Sequence, residues 1–162
     1  VSAFLLNRSS DLEINLSSGI YDELYSTTRK ALDALGITDG ASHTEYRITE
    51  SGEVFIIELG ARMGGDFIGS DLVRLSTGYD FVKGVIQVAL GEFGCPELTE
   101  KKFSGVYFLC KETARLLPYF EDSYKDSRFV CKERMSDELK EVTCSGDRSG
   151  YIIYQADKRV IL

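Results

Sequence analysis

Residues 54–65 read VFIIELGARMGG, from Val54 to Gly65. Four apolar residues, β-branched or aromatic, suit a strand bound for a core. That strand then ends on a carboxylate, Glu58; Arg62 follows four residues later, and the glycines Gly64 and Gly65 come next. Upstream, ASHTEYRITESGE supplies a second β-rich run and a Ser51-Gly52 turn signal, so the two runs read as a hairpin. With Ser51-Gly52 as a two-residue loop, Glu50 faces Glu53, and each pair further back keeps the same numerical sum. Glu45 then falls directly opposite Glu58. A four-residue loop, Glu50 to Glu53, gives the same register. A three-residue loop slips the pairing by one and throws the two acids onto opposite faces.

Like charges directly across a strand pair repel, by roughly some tenths of a kcal/mol when solvated and by much more in a partly buried site. One carboxyl can keep its proton, or a cation can sit between the two. Oxygen-only ligands on two rigid strands suit Mg²⁺, which takes one or two carboxylates and fills its shell with water and phosphate oxygens. Arg62 adds a planar cation suited to phosphate or carboxylate. Gly64 and Gly65 allow backbone N–H groups close to an anion. Together these describe a site for a phosphorylated reactant. The same residues also have a plain structural reading. Glu45 is then a solvated hairpin residue, Glu58 pairs with Arg62, and the glycines simply turn the chain. His43 lies two residues before Glu45 and shares its face; on spacing alone it is a surface or satisfied polar histidine.

The whole chain narrows the function classes. Its 162 residues suffice for one real core, or a medium domain with an appendage. Hydrophobic content is 43% and charged content 28%, ordinary for a globular protein. The net charge of -7 repels phosphate backbones, so nucleic-acid binding is not expected, nor is a basic membrane-surface patch. No apolar run reaches membrane-spanning length, and VSAFLL is too short for a signal peptide. Cys95, Cys110, Cys131 and Cys144 form no C-x-x-C pair and lie far from His43, so reduced thiols in a cytoplasmic protein are expected rather than a zinc site.

Further along the chain, residues 1–16 alternate loosely, as one or two short strands would. IYDELYSTTRKALDALG reads as a helix with Ile20, Leu24, Thr27, Ala31 and Leu35 on one stripe. FIGSDLVRLSTG reads as a helix closed by Gly78. YDFVKGVIQVALGE reads as another, with Phe81, Val82, Val85, Ile86, Ala89 and Leu90 on one side. From Phe103 onward the runs are short and strand-like: FSGVYFLCK, ARLLPYF, RFVCKER and GYIIYQA. A soft boundary falls near residues 94–102, giving units 1–93 and 94–162. The expected fold is α+β: an antiparallel sheet with helices packed on one side, followed by a small β-rich subdomain.

GASHTEYRITESGEVFIIELGARMGGDFI resembles the C-terminal half of an ATP-grasp domain. The wider run to STGYDFVKGVIQVALGE is similar to the same region of ATP-dependent carboxylate–amine ligases, including amino-acid ligases and carbamoyl-phosphate-synthase-like enzymes. The likeness covers roughly residues 20–92; the tail with RSGYIIYQA looks like these ligases' small β-rich C-terminal subdomain.

The resemblance implies a role for each matching residue. Glu45 and Glu58 bind Mg²⁺, or Mn²⁺ in its place, and through it the phosphates of ATP. Arg62 holds the transferred phosphoryl group or the acyl-phosphate. Gly65, with Gly64, offers backbone N–H groups to the substrate carboxylate or acyl-phosphate. The implied reaction activates a carboxylate as an acyl-phosphate, which an amine then attacks. The substrates are small molecules, and a homodimer is compatible with the reading. Two features depart from the family pattern. Many members carry Glu-x-Asn-x-Arg, whereas Gly60 stands at the asparagine position here. The lysine-bearing half of the nucleotide clamp is not found before residue 20. The resemblance therefore implies a piece of a longer ligase whose N-terminal portion completes the site, inactive by itself. The competing reading is a degenerate, non-catalytic ATP-grasp module used in interaction or regulation. A third, an unrelated α/β binding domain, needs a hairpin register other than the one derived above.

Overall fold

The computed structural model describes residues 18–162, so the strands expected within residues 1–16 lie outside the described residues. Helix α1 (Ser18–Ala34) precedes strands β1 (His43–Ile48) and β2 (Val54–Gly60). A π-helical turn (Ile68–Leu72) runs into α2 (Val73–Thr77), and α3 (Phe81–Leu90) follows. Strand β3 (Phe103–Leu109), a 3-10 helix (Ala114–Phe120), β4 (Phe129–Arg134), a short 3-10 turn (Ser145–Asp147) and β5 (Gly150–Ala156) complete the order. The fold is α+β with two antiparallel sheets, β1-β2 and β3-β5-β4. Two units emerge: the described residues up to Gly69 with Phe81–Pro96, and Ser70–Asp80 with Glu97–Leu162.

In the first unit, α1 lies against the inner face of the hairpin. The Tyr46 hydroxyl reaches the Thr28 hydroxyl and donates to the Leu24 carbonyl at 3.3 Å. Thr28 in turn donates to Leu24 O at 2.7 Å. The buried stripe of α1 is therefore Leu24, Thr28 and Leu32, while Leu35 is 64% exposed just past the helix end. The expected stripe through Thr27 and Leu35 is off by one position, because a threonine is buried for its hydrogen bonds rather than its hydrophobicity. Helix α3 differs similarly. Gly84 is its buried residue, and Ile86 and Leu90 are 55% and 65% exposed. The expected apolar side of α3 is thus turned partly outward.

The hairpin turn is not the two- or four-residue loop expected. Thr49 N–H donates to Glu53 O, and Gly52 N–H donates to Thr49 O, both at 3.0 Å. This is a three-residue loop with Gly52 at φ 86°, where only glycine is unstrained. Next to the turn the ladder accordingly slips by one, pairing Ile48 with Val54 and Tyr46 with Ile56. A β-bulge beyond Tyr46 then restores the count, and Glu45 pairs with Glu58. Ile57 is the extra residue that undoes the slip.

In the second unit, β5 is the central strand, and Ile152, Ile153 and Tyr154 along it are buried. Leu109, Leu116, Phe120 and Ile152 form its core, with Tyr107, Phe129, Leu139 and Leu162 packed around them. ARLLPYF forms a 3-10 helix, not the expected strand. Pro118 lacks the N–H a ladder needs, and Thr113 just before the helix ties down the turn, donating to Phe108 O at 2.6 Å and accepting from Cys110 N–H at 3.0 Å. Helix α2 is stitched to this sheet: Ser104 donates to Leu72 O at 2.8 Å and Gln155 to Leu75 O at 2.5 Å.

Two carboxylates, Asp126 and Asp147, tie stability in this unit to pH. The Arg128 guanidinium and backbone N–H pull Asp126 down to about 2. The Thr143 hydroxyl, then the Thr143 and Cys144 N–H groups, hold Asp147 well below the usual carboxylate range. Depressed folded values mean that the unfolded chain binds more protons in acid. The stability they contribute is present above pH 3.8 and declines as pH falls from there towards 2. An acid titration followed by tyrosine fluorescence should show this loss, and Asp126→Asn should shrink it.

Candidate functional site

The hairpin has a dry face and a wet one. Tyr46, Ile48, Val54 and Ile56 are partly buried, while Glu45, Arg47, Phe55, Ile57 and Glu58 are exposed. Ile57 and Glu58 are consecutive yet both exposed, as the bulge requires. The consequence is that Glu58 shares the open face with Glu45, its direct partner. A carboxylate pair meeting solvent in this way matches the register derived from the sequence, although the turn differs.

Beyond β2, Arg62 approaches Glu58 at 3.8 Å, with both side chains about 60% exposed, at 59% and 60%. Such a contact contributes little to stability. Arg62 is steadied instead by its own loop, donating to Met63 O at 2.9 Å. A Cβ at Gly60 would meet Arg62 Cγ at 3.4 Å, an ordinary contact, so packing does not demand glycine there. At Gly64 it would come within 3.0 Å of both His43 Cδ2 and Ile68 Cγ2, so the loop lies tightly on the histidine ring. At Gly65 it would meet nothing within 4 Å, leaving that position open.

The loop closes on itself through Ile68 N–H to Gly65 O at 2.9 Å and Gly69 N–H to Gly64 O at 3.3 Å. To do so, Asp66 and Phe67 adopt left-handed backbone with φ of 53° and 64°. Phe67 pays a steric cost there that an Asp or Asn tolerates better. Strained pairs of this kind cluster at functional loops, and sequence reading missed both residues; nothing in GGDF marks a left-handed phenylalanine.

Among the described residues no group of three or more His, Cys, Asp or Glu side chains is placed to hold a metal. The four cysteines are free, with Cys110 buried and Cys95, Cys131 and Cys144 exposed. Glu45 and Glu58 thus offer two hard oxygen donors and an open remainder. That set fits a Mg²⁺ ion completed by water and phosphate, and does not fit a self-sufficient protein cage.

His43 Nδ1 and Thr44 Oγ1 are buried without a hydrogen-bond partner. An unmatched buried hydroxyl is costly. Thr44→Val, close to isosteric, is expected to raise stability by about 1 kcal/mol. Thermal denaturation checks this, and a fall would mean that the hydroxyl is bonded after all.

No protein-family model matches the sequence, and no curated protein matches it. Solved structures do. Phosphoribosylglycinamide synthetase from Anaerococcus prevotii superposes over 91% of this chain with a TM-score of 0.66 at 21% identity. The L-amino acid ligase from Bacillus licheniformis covers 89% with a TM-score of 0.68 at 22% identity. N5-carboxyaminoimidazole ribonucleotide synthetase, solved as an ADP complex, covers 89% with a TM-score of 0.59 at 12% identity. The fold is that of the ATP-grasp ligases. The chain spans 39%, 39% and 35% of those three proteins' lengths, respectively. Among the described residues, no helix is long and apolar enough to cross a membrane.

Proposed function

We propose that this chain is part of an ATP-dependent ligase that joins a small carboxylate to an amine. The observation that carries the reading is the bulge-restored pairing of Glu45 with Glu58 on the open hairpin face, with Arg62 four residues on. A synthetase, an amino-acid ligase and an ADP complex among the similar structures support it. Residues 1–93 are read as the C-terminal half of the ATP-grasp domain and 94–162 as the small β-rich subdomain. A cytoplasmic location and a homodimer agree with this reading.

In the proposed mechanism, Glu45 and Glu58 hold Mg²⁺, or Mn²⁺ in its place. The ion's contribution when bound is neutralisation of phosphate charge. Arg62 lies beside the γ-phosphoryl group, where its fork matches phosphate oxygens. A substrate carboxylate oxygen forms a bond to the γ-phosphorus as the bond to the ADP oxygen breaks. Backbone N–H groups of Gly64 and Gly65 orient the resulting acyl-phosphate. The amine lone pair then attacks the acyl carbon, phosphate leaves with the C–O bonding pair, and the amine loses a proton. Catalysis is positioning and charge stabilisation. The N-terminal portion of the same ligase supplies the rest of the nucleotide clamp, so this chain alone is expected to turn over no ATP.

Gly65→Leu tests the substrate side. A Cβ there would meet nothing within 4 Å, so the fold should survive while the side chain occupies the space assigned to the acyl group. Substrate-dependent ADP release by the intact protein should fall by at least about tenfold with an unchanged melting temperature. Unchanged ADP release would remove Gly65 from the site.

Gly60 favours a second reading, a degenerate module without catalysis, since it offers no side-chain ligand. Titration of the intact protein with Mg·ATP separates the two: binding supports the ligase, and its absence the module.

A further inference from the structure

His43 opens β1 and pairs with Gly60, the last residue of β2, where the hairpin hands the chain on to the loop carrying Arg62, Gly64 and Gly65. The histidine is half-buried. A Cβ on Gly64 would come within 3.0 Å of both His43 Cδ2 and Ile68 Cγ2. Separations that short leave no gap, so the Gly64 backbone is in contact with the ring edge and with Ile68. The bonds that close the loop, Ile68 N–H to Gly65 O and Gly69 N–H to Gly64 O, use the two glycine carbonyls. They do not engage the N–H groups that the proposed mechanism gives to the acyl-phosphate.

Two further features single out this histidine. Its Nδ1 is buried without a hydrogen-bond partner among the described residues. No bond to that nitrogen orients the ring, so packing sets its orientation, including the contact with Gly64. A buried polar nitrogen left unmatched costs stability. An apolar side chain of like volume would avoid that cost, so packing alone does not account for a histidine here. The second feature is the strain that follows in the loop. Asp66 and Phe67 hold left-handed backbone at φ 53° and 64°, a conformation that persists only where the surroundings enforce it. The His43 ring supplies such support from the hairpin side.

We propose that His43 is a positioning residue: its ring holds Gly64 in place, so that the N–H groups of Gly64 and Gly65 meet the acyl-phosphate without first rearranging. This rests on the acyl-phosphate role given to the two glycines above. It does not extend to the nucleotide, which the mechanism gives to Glu45, Glu58 and Arg62.

The test uses the intact protein with His43→Ala and with His43→Gln, which keeps a planar polar end. Acetyl phosphate, a minimal acyl-phosphate, is titrated calorimetrically in saturating Mg·ADP. Amide hydrogen exchange is followed at Ile68 and Gly69, whose N–H groups close the loop. His43→Ala should weaken acetyl phosphate binding and speed exchange at both amides, each by at least about tenfold, with Mg·ADP affinity unchanged. His43→Gln should bring both back towards wild type. Wild-type binding in His43→Ala, whether or not exchange is faster, would overturn the positioning role and leave the ligase reading standing. Loss of Mg·ADP affinity in His43→Ala, or no recovery in His43→Gln, would make the residue merely structural and equally overturn it. Wild type that binds Mg·ADP but not acetyl phosphate would instead overturn the acyl-phosphate site, and this role with it.

Discussion

Glu58→Gln in the intact protein should lower substrate-dependent ATP turnover by roughly two to three orders of magnitude, the usual scale for losing one charge-stabilising group. The change keeps the shape of the side chain and removes only its charge. Its structural cost should be negligible, because Glu58 is 60% exposed and its contact with Arg62 is long, at 3.8 Å. Relief of repulsion against Glu45 should even stabilise the hairpin by a few tenths of a kcal/mol. Glu45→Gln should behave in the same way, since the two acids are direct partners. Glu53→Gln, at the exposed turn, is the matched control and should retain turnover. The readout is ADP release in the presence of a carboxylate and an amine, with melting temperature measured in parallel. Normal turnover by Glu58→Gln would remove the acid pair from the mechanism.

The largest stability effect should come from Leu116→Ala. Leu116 is fully buried and packs with Leu109, Phe120 and Ile152. It sits on a short 3-10 helix wedged into the core, and truncation leaves a cavity that neighbouring strands are poorly placed to fill. The expected cost is about 3 kcal/mol. Leu98→Ala, at a position 56% exposed, should cost less than about 0.5 kcal/mol. Chemical denaturation of both variants gives the comparison; equal midpoints would mean that the 3-10 helix does not anchor this core.

Local pattern carried the hairpin, the three helical segments and three of the strands, because each shows its own periodicity or breaker. What escaped depends on neighbours. The turn signal at Ser51-Gly52 was visible, but a glycine in left-handed geometry fits a three-residue loop as well as a two-residue one. The bulge at Ile57 follows from that loop and leaves no compositional mark. Thr28 looks polar and is buried, because Tyr46 from another element reaches it. ARLLPYF is apolar enough for a strand, but Pro118 lacks the N–H a ladder needs, and β3, β5 and β4 pair with one another and leave it a 3-10 helix. That Glu45 lies opposite Glu58 was legible from the hairpin numbering, whereas the roles proposed for these acids, Arg62 and the two glycines come from the resemblance. The strained Asp66-Phe67 pair was not legible, because closure of a loop produces it.

The most direct measurement is a crystal structure of the intact protein with Mn²⁺ and ADP, using the anomalous signal to locate the ion. The account predicts a peak between positions 45 and 58, with oxygens of both glutamates at about 2.1 Å and a nucleotide phosphate completing the shell. A peak elsewhere, with both carboxylates left in solvent, would contradict it.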